Sequence, residues 1–428
     1  MADPDILVVG AGAAGLAAAR AIRAAGRGVR VLEARHRPGG RAWTDSTTLA
    51  APFDLGATWL HQALDNPLAP LAAGAAPFDH DAVRRHLCLI DGRPAAEAEM
   101  ADYDATYAAF HARLRAALPE APPGASAADF APRGGPWDAM VAHWEGPVIC
   151  AAPLAEMDLR DFLDTQLDAP NWLLPQGIGN FLSGLAAGLP IAYGAAVERL
   201  EWGRAGGVVA EGAFGRVSAR AAIVTLPTAL LAAGALRFDP PLPAETEQAA
   251  HDLPLGLLNK IGLRAAGEDR LGLAPFTGLE RRVEREDEAA MTFIAWPFGQ
   301  DHLMGFLGGP AAWEASREGP AALEELARAE LRAAFGPRAD AALLGAAALA
   351  SDWGNDPYAR GAYSHARPGR AAARRILGTP LAGGRLCFAG EACHPRLAAT
   401  VGGAWESGEW AAHAALAALA GVPPEPVR

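Results

Sequence analysis

Cysteine is scarce in this chain. Cys88, Cys150, Cys387 and Cys393 are the only four in 428 residues. They form no CxxC pair and no metal spacing with histidine, so neither a disulfide framework nor a zinc site is expected, and no metal is assigned. A reducing compartment, the cytoplasm, fits that usage. Long hydrophobic runs are also lacking. No stretch of about 18 apolar residues is free of charge, so no membrane anchor is expected. Trp410 to Ala420 is apolar but short, and reads as a packed helix. No basic segment followed by an apolar one precedes the first strand, so no signal peptide is expected. Positive charge is in deficit. The net charge of −12 argues against a nucleic-acid-binding surface and mildly favours cationic substrates. No internal repeat is present.

What the chain does have is concentrated at its start. Ile6 to Val9 is a short apolar run, long enough for a buried parallel strand. Gly10, Gly12 and Gly15 follow at once, with Ala14 between them. Leu16, Ala19 and Ile22 then recur at helical spacing, and a second strand, from Val29, ends on Glu33. Strand, glycine-rich turn, helix, strand, acid is the order of a dinucleotide fingerprint. The first glycine makes the tight turn, the second admits a pyrophosphate, and the third lets helix pack on strand. The helix start offers free N–H groups to phosphate. Glu33 is placed to accept a ribose hydroxyl, and an acid there disfavours a 2′-phosphate.

Downstream, 95–118 reads as a helix with polar and apolar faces, and 119–136 as a Pro-, Gly- and Ser-rich loop. Asp158 to Leu167 is a short helix. Ile191 to Tyr193, Val197 to Trp202, Gly207 to Ala210 and Val217 to Val224 read as strands. Phe238 to Pro243 is a Pro-rich hinge, Ala321 to Phe335 a helix, and a final helix starts near Gly403. The alternation predicts an α/β protein of two interleaved domains: a Rossmann-like nucleotide-binding domain from 1–75, 176–255 and 346–428, and a mixed-sheet and helix substrate domain from 76–175 and 256–345.

Ala34, Arg35 and the run from His36 to Thr44, with Gly39-Gly40-Arg41 at its centre, extend the fingerprint in a way that resembles the flavin-dependent amine oxidases. That family includes monoamine, polyamine and spermine oxidases and the flavin histone demethylases. The resemblance implies FAD as cofactor, with Gly39, Gly40 and Arg41 along its pyrophosphate. Gly390 and Glu391, at the end of an apolar strand, resemble the pair that reaches the ribityl chain and pyrophosphate. Thr400, Val401 and Ala404 resemble the final helix start that faces the flavin. Val197, Thr225 and Pro227 resemble backbone contacts at the adenine end. Gly56, Ala57, Thr58 and Trp59 fall in a matching segment, and Trp353 opens another.

Three side chains carry the implied chemistry. Lys260 lies in an otherwise apolar strand, where a lysine left alone would snorkel or sit on an edge. The resemblance makes it instead the lysine that holds a water against the flavin N5. Burial would lower its pKa, which suits proton handling. Tyr363 matches a tyrosine that walls the amine channel, with Thr400 opposite. His61, after Trp59 and before Asn66-Pro67, resembles the polyamine and spermine oxidase stretch and would lie near the amine. Ala362 stands where monoamine oxidases carry a cysteine bonded to FAD, so the FAD is expected to be non-covalent.

The expectation is an FAD-dependent, polyamine-oxidase-like amine oxidase. It would move a hydride from the α-carbon of a polyamine or monoamine to flavin, with the imine hydrolysed to aldehyde and amine. Dioxygen would reoxidise the flavin and leave as hydrogen peroxide. Its partners would be a small amine and O2, not nucleic acid or membrane. The alternative is a desaturase or protoporphyrinogen-oxidase-like enzyme acting on a large apolar substrate. Lys260 and Tyr363 argue against that. A histone demethylase role is disfavoured by the lack of a long helical insertion or a basic patch.

Overall fold

The computed structural model describes residues 3–83, 85–204, 207–343, 345 and 347–423. The outer ends of the expected nucleotide-binding segments, 1–2 and 424–428, lie outside the described residues, as does residue 346.

A five-stranded sheet runs Ile191–Ala192, Val29–Leu32, Ile6–Val9, Ala221–Val224, Leu386–Phe388, with every neighbouring pair parallel. Its central strands are buried along their whole length. That is why they read as unbroken apolar runs rather than alternating ones. The helices Ala13–Ala24 and Val401–Leu419 pack against each other and share the core of this sheet. One glycine permits their approach and another packs the first helix on its strand. A Cβ on Gly408 would overlap the Ala14 carbonyl, and one on Gly15 would overlap the Gly10 carbonyl. A second core joins the sheet to a smaller one made of Gly215–Ala219, Gly207–Gly212, Arg199–Arg204 and Arg237–Asp239.

A seven-stranded mixed sheet forms the other half. Its order is Ala348–Ala350, Leu258–Arg264, His302–Gly308, Thr292–Ala295, Thr277–Arg281, Arg85–Ile90, Arg93–Pro94. Helices Gly309–Glu318, Pro320–Phe335 and Pro337–Leu343 share its core, as do Leu49, Phe53 and Leu55 from the early chain. Glu97–Ala117, Asp138–His143 and Leu159–Asp164 build a further helical core. Asp158 caps the last of these through Arg160 N at 2.9 Å and Asp161 N at 3.0 Å. The chain passes between the two large sheets several times. Among the described residues no helix is long and apolar enough to cross a membrane.

Two expectations are corrected. Val217 to Val224 is two strands in two sheets. The chain leaves the hairpin at exposed Arg220, whose N–H goes to Asp5 O at 2.9 Å. Beyond it alternating burial gives way to the continuous burial of a parallel strand. The Pro-rich hinge begins inside an edge strand. Arg237–Asp239 pairs in parallel with Arg199 to Glu201, and Trp202 Nε1 donates to Pro240 O at 2.7 Å. Pro240, Pro241 and Pro243 follow the strand and lead into the helix Ala244–Asp252.

Candidate functional site

The glycine-rich turn sits at the carboxyl end of the parallel sheet. Gly10 has φ +104°, and a Cβ there would strike the Thr225 hydroxyl, which donates to Val9 O at 2.8 Å. Gly12 starts the first helix with no side-chain cap and no acid in the first turn. Its N–H donors are therefore left for an anion. Gly12 bridges to Gly39, and Gly39 N donates to Ala11 O at 2.8 Å, which lays the Gly39-Gly40-Arg41 turn beside the first. Glu33 is buried and accepts from Ala11 N at 2.6 Å and Arg35 N at 2.8 Å.

Three arginines crowd this rim. Arg35 is held by Asp356 through a two-pronged pair of 2.5 and 2.7 Å. Arg41 donates to Ala362 O at 2.6 Å and to Glu391 at 3.1 Å. Arg37 stacks on Trp43 with its guanidinium 4.6 Å from the ring centre. Burial first, then the nearby Arg35, pulls it down to about 10. A cleft of about 290 Å³ opens between Arg41, Thr225, Pro227, Gly390 and Glu391. A Cβ added to Gly390, which has φ +147°, would meet open space.

Lys260 lies in the strand Leu258–Arg264 and is 4% exposed. Ser351 clamps its backbone from both sides: Lys260 N donates to Ser351 Oγ, and Ser351 N donates to Lys260 O, each at 2.8 Å. Nζ donates to Gly56 O and Thr58 Oγ1, and lies 5.4 Å from the ring centres of both Trp59 and Phe306. Burial lowers its pKa to about 8, against the opposing pull of Asp54.

His61 stacks on Trp59 at 6.0 Å. Its Nδ1 meets Asn171 Oδ1 at 2.7 Å, while Asn171 Nδ2 donates to Asp81 at 2.9 Å. Asp81 thus orients the amide, the amide oxygen takes the Nδ1 proton, and Nε2 is left as the acceptor nitrogen. Burial, with a lesser push from Lys260, lowers the His61 pKa and favours this neutral form.

Tyr363 pairs with Gly256, and its hydroxyl donates to Ile149 O at 2.9 Å. Burial raises the phenol's pKa, so it stays protonated. Ile149 belongs to the π-helical segment Trp144–Cys150, an irregularity common at functional sites. Next to Tyr363, Ser364 joins a buried network. Glu391 accepts from Ser364 Oγ at 2.6 Å, Arg41 and Ala399 N. Arg374 donates to Ser364 Oγ at 2.9 Å and grips Asp161 at 2.6 and 2.8 Å.

The structure brings Lys260, Gly56, Thr58, Trp59 and His61 into one cluster. Arg41 links it to Tyr363: its carbonyl packs on Gly56 and its side chain holds the Ala362 carbonyl. Thr400 stands at the start of the last helix: its hydroxyl accepts from Gly403 N and donates to Leu397 O. Both carboxylate oxygens of Glu391 are engaged by protein donors. Val197 is buried in the second core, and Trp353 Nε1 is tied to Leu55 O at 2.7 Å. Pro227 starts a short helix, while Val401 and Ala404 lie in the first turn of the last one. Ala34 and Ala57 are half-buried within these turns.

Sequence reasoning passed over Asp81, Asn171, Ile149, Asp161, Ser364 and Arg374. None carries a local signal, because each acts on a residue far away in the chain. One signal was available and unused: Lys260 is the only lysine among 37 basic residues. Every other basic residue is arginine, which cannot give up its proton.

A parallel sheet with a glycine-rich turn and buried acid, joined to a mixed sheet that carries one buried amine, defines a two-domain nucleotide-cofactor oxidoreductase. The chain belongs to the flavin containing amine oxidoreductase family, whose model matches residues 13–94 and 142–416. It is therefore an enzyme of that family, with FAD as cofactor.

It is similar to "Lysine-specific histone demethylase 1 homolog 1" of Oryza sativa subsp. japonica, 29% identical, over 95% of this chain and 51% of that protein. "Polyamine oxidase 4" of the same plant is 27% identical over 95% of this chain and 87% of that protein. The chain thus spans about half the length of the first relative. Among solved structures, cyclohexylamine oxidase from Brevibacterium oxydans IH-35A superposes with a TM-score of 0.79 at 21% identity, covering 98% of this chain and all of that one. A redesigned putrescine oxidase superposes at 0.76 and 21%, covering 97% and 99%. These neighbours share the amine oxidase two-domain fold.

The residues present fit the cofactor. The uncapped helix start and underpaired Arg37 suit a pyrophosphate, Glu33 suits a ribose, and the space beside Gly390 suits an extended chain.

Proposed function

We propose that this enzyme oxidises a small amine or polyamine, with dioxygen as electron acceptor, in the cytoplasm. The observation that carries the reading is the cluster around Lys260: a single lysine, buried, with a pKa of about 8, under two aromatic rings and beside a histidine fixed as acceptor. Bound FAD supplies the two-electron chemistry, taking a hydride from the carbon next to nitrogen and passing the electrons to dioxygen, which leaves as hydrogen peroxide. Water splits the resulting imine into aldehyde or ketone and amine.

The chain's own residues do the rest. Gly10, Gly12, Glu33, Arg35, Arg37 and Arg41 would hold the cofactor. His61 Nε2 would accept an N–H of the amine and orient it. Trp59, Phe306 and Tyr363 would wall the amine and exclude water. The Tyr363 ring is steadied by the bond to Ile149 O. Lys260, partly neutral near pH 8, repels an incoming cation less than an ordinary lysine would. Residues 1–75, 176–255 and 346–428 would hold FAD, and 76–175 and 256–345 would shape the amine cavity.

The test is anaerobic addition of spermine, acetylated polyamines, a simple arylalkylamine and a methyl-lysine peptide to the yellow protein. Bleaching by one of the small amines is expected. Bleaching by the peptide alone would support a second reading, which the demethylase relatives favour. No bleaching by any amine would support an enzyme for a large apolar substrate. A further expected result concerns attachment. With Ala362 rather than cysteine beside Tyr363, acid precipitation should leave all the FAD in the supernatant. Flavin retained in the pellet would contradict this.

A further inference from the structure

A second, small cleft is lined by Thr58, whose hydroxyl is bonded to Lys260 Nζ. Trp59, His61, Phe306 and Tyr363 do not line it. Thr58 and Trp59 are successive residues, and Nζ bonds the first and lies 5.4 Å from the ring centre of the second, so the cleft ends one residue from the aromatic cluster around Lys260.

The wall is mainly apolar, with Phe53, Leu173, Phe298 and Met304. Two of the polar groups in it, Asp54 and His302, are buried. The Asp54 carboxylate accepts from Thr44 Oγ1, Ile178 N and Gly179 N. His302 is 1% exposed and packs edge-on against Phe53 at 5.5 Å, and its Nδ1 has no hydrogen-bond partner. Burial drives its pKa down to about 4, so it stays neutral. An ammonium entering here would find the one carboxylate, Asp54, already accepting three hydrogen bonds. A small neutral apolar molecule needs no partner.

The mouth is built under backbone strain. Trp296, Phe298 and Gly299 have φ of 49°, 57° and 74°, and the first two are bulky residues in the left-handed region. The turn is pinned there by Trp296 Nε1 to Arg270 O at 3.1 Å and by Phe298 packing on Phe78 and Phe276. Its effect is to set Phe298 and Gln300 at the rim.

The geometry points to this cleft as the dioxygen route. The amine approaches Lys260 from the Trp59 and His61 side, and dioxygen from the Thr58 side. The inference rests on the reading above that dioxygen is the acceptor. Dioxygen gains two electrons and one proton from the reduced flavin and its second proton from solvent, and leaves as hydrogen peroxide, so no other reductant is required.

Crystals of the holoenzyme pressurised with xenon, an apolar probe of similar size, should show a site between Phe53, Leu173 and Met304. Gln300→Trp, which narrows the rim, should lower xenon occupancy and slow reoxidation of dithionite-reduced enzyme several-fold, with anaerobic bleaching by amine unchanged. Met304→Ala, which widens the interior, should raise xenon occupancy without slowing reoxidation. Because dithionite reduces the flavin without any amine, failure of the amine reading would not mask the result. Absence of xenon from the cleft in the native enzyme would overturn the route. So would native reoxidation rates in a folded Gln300→Trp enzyme that has lost its xenon site.

Discussion

Lys260→Met should lower flavin turnover on the order of a hundredfold or more, the usual scale for a positioned proton-handling group. It should also erase an inflection near pH 8 in kcat/KM. In the native enzyme that inflection reports Lys260 losing its proton, and with it the repulsion of a cationic amine. An inflection set by the substrate's own nitrogen should survive in the variant. Nζ faces two acceptors, Gly56 O and Thr58 Oγ1. A neutral amine has two N–H groups, so deprotonation leaves both bonds in place.

The stability consequence has a definite sign. Lys260 is fully buried, and its pKa falls from an ordinary 10.5 to about 8. Between those values the unfolded chain binds more protons than the folded one, so stability rises with pH across that window. At about 1.4 kcal/mol per pH unit, the whole effect is about 3 kcal/mol. Lys260→Met should show no such rise. Because the chain has one lysine, labelling with ¹³C-lysine gives one ε-carbon signal, and its titration reads the group directly. A midpoint near 10.5 would remove the argument.

Arg374→Met should destabilise the protein by about 3–5 kcal/mol, the scale for a buried ion pair that loses one partner. Arg374 is 1% exposed, and its loss would strand the Asp161 carboxylate, also buried. Adding Asp161→Leu should recover most of the loss, since two apolar side chains leave no uncompensated charge. Urea unfolding of the three variants tests this. Full recovery with unchanged kinetics would make the pair purely structural. The network predicts more. Arg374 holds Ser364, beside Tyr363, and Ser364 meets Glu391, which meets Arg41 at the nucleotide rim. The doubly substituted enzyme should therefore bind amine more weakly, with a raised KM, even where its stability is restored. Arg374 is thus a positioning residue, acting on the amine wall through Ser364.

The nucleotide half was legible because its signals are local. Gly10 needs a positive φ and Gly15 packs on the Gly10 carbonyl within a few residues, and Glu33 follows the very next strand. Asp158 likewise caps the helix that begins beside it. The strand boundary at Arg220 was not legible, because one charged residue inside a strand-like run does not show that the chain moves from one sheet to another. Thr400 was legible as a helix start, since its hydroxyl caps the helix that follows it, accepting from Gly403 N.

The sequence by itself determined where a dinucleotide would lie, since glycine geometry is a property of short stretches. Only the tertiary structure decided the state of the site's side chains. Lys260 is depressed to about 8 because Gly56, Thr58, Trp59 and Phe306 close over it. His61 is held as an acceptor because Asn171 and Asp81 orient it. The cleft behind Thr58 exists because a strained turn near residue 298 meets a strand near residue 53. Burial and long-range contact set dielectric, tautomer and access, and no window along the chain contains them.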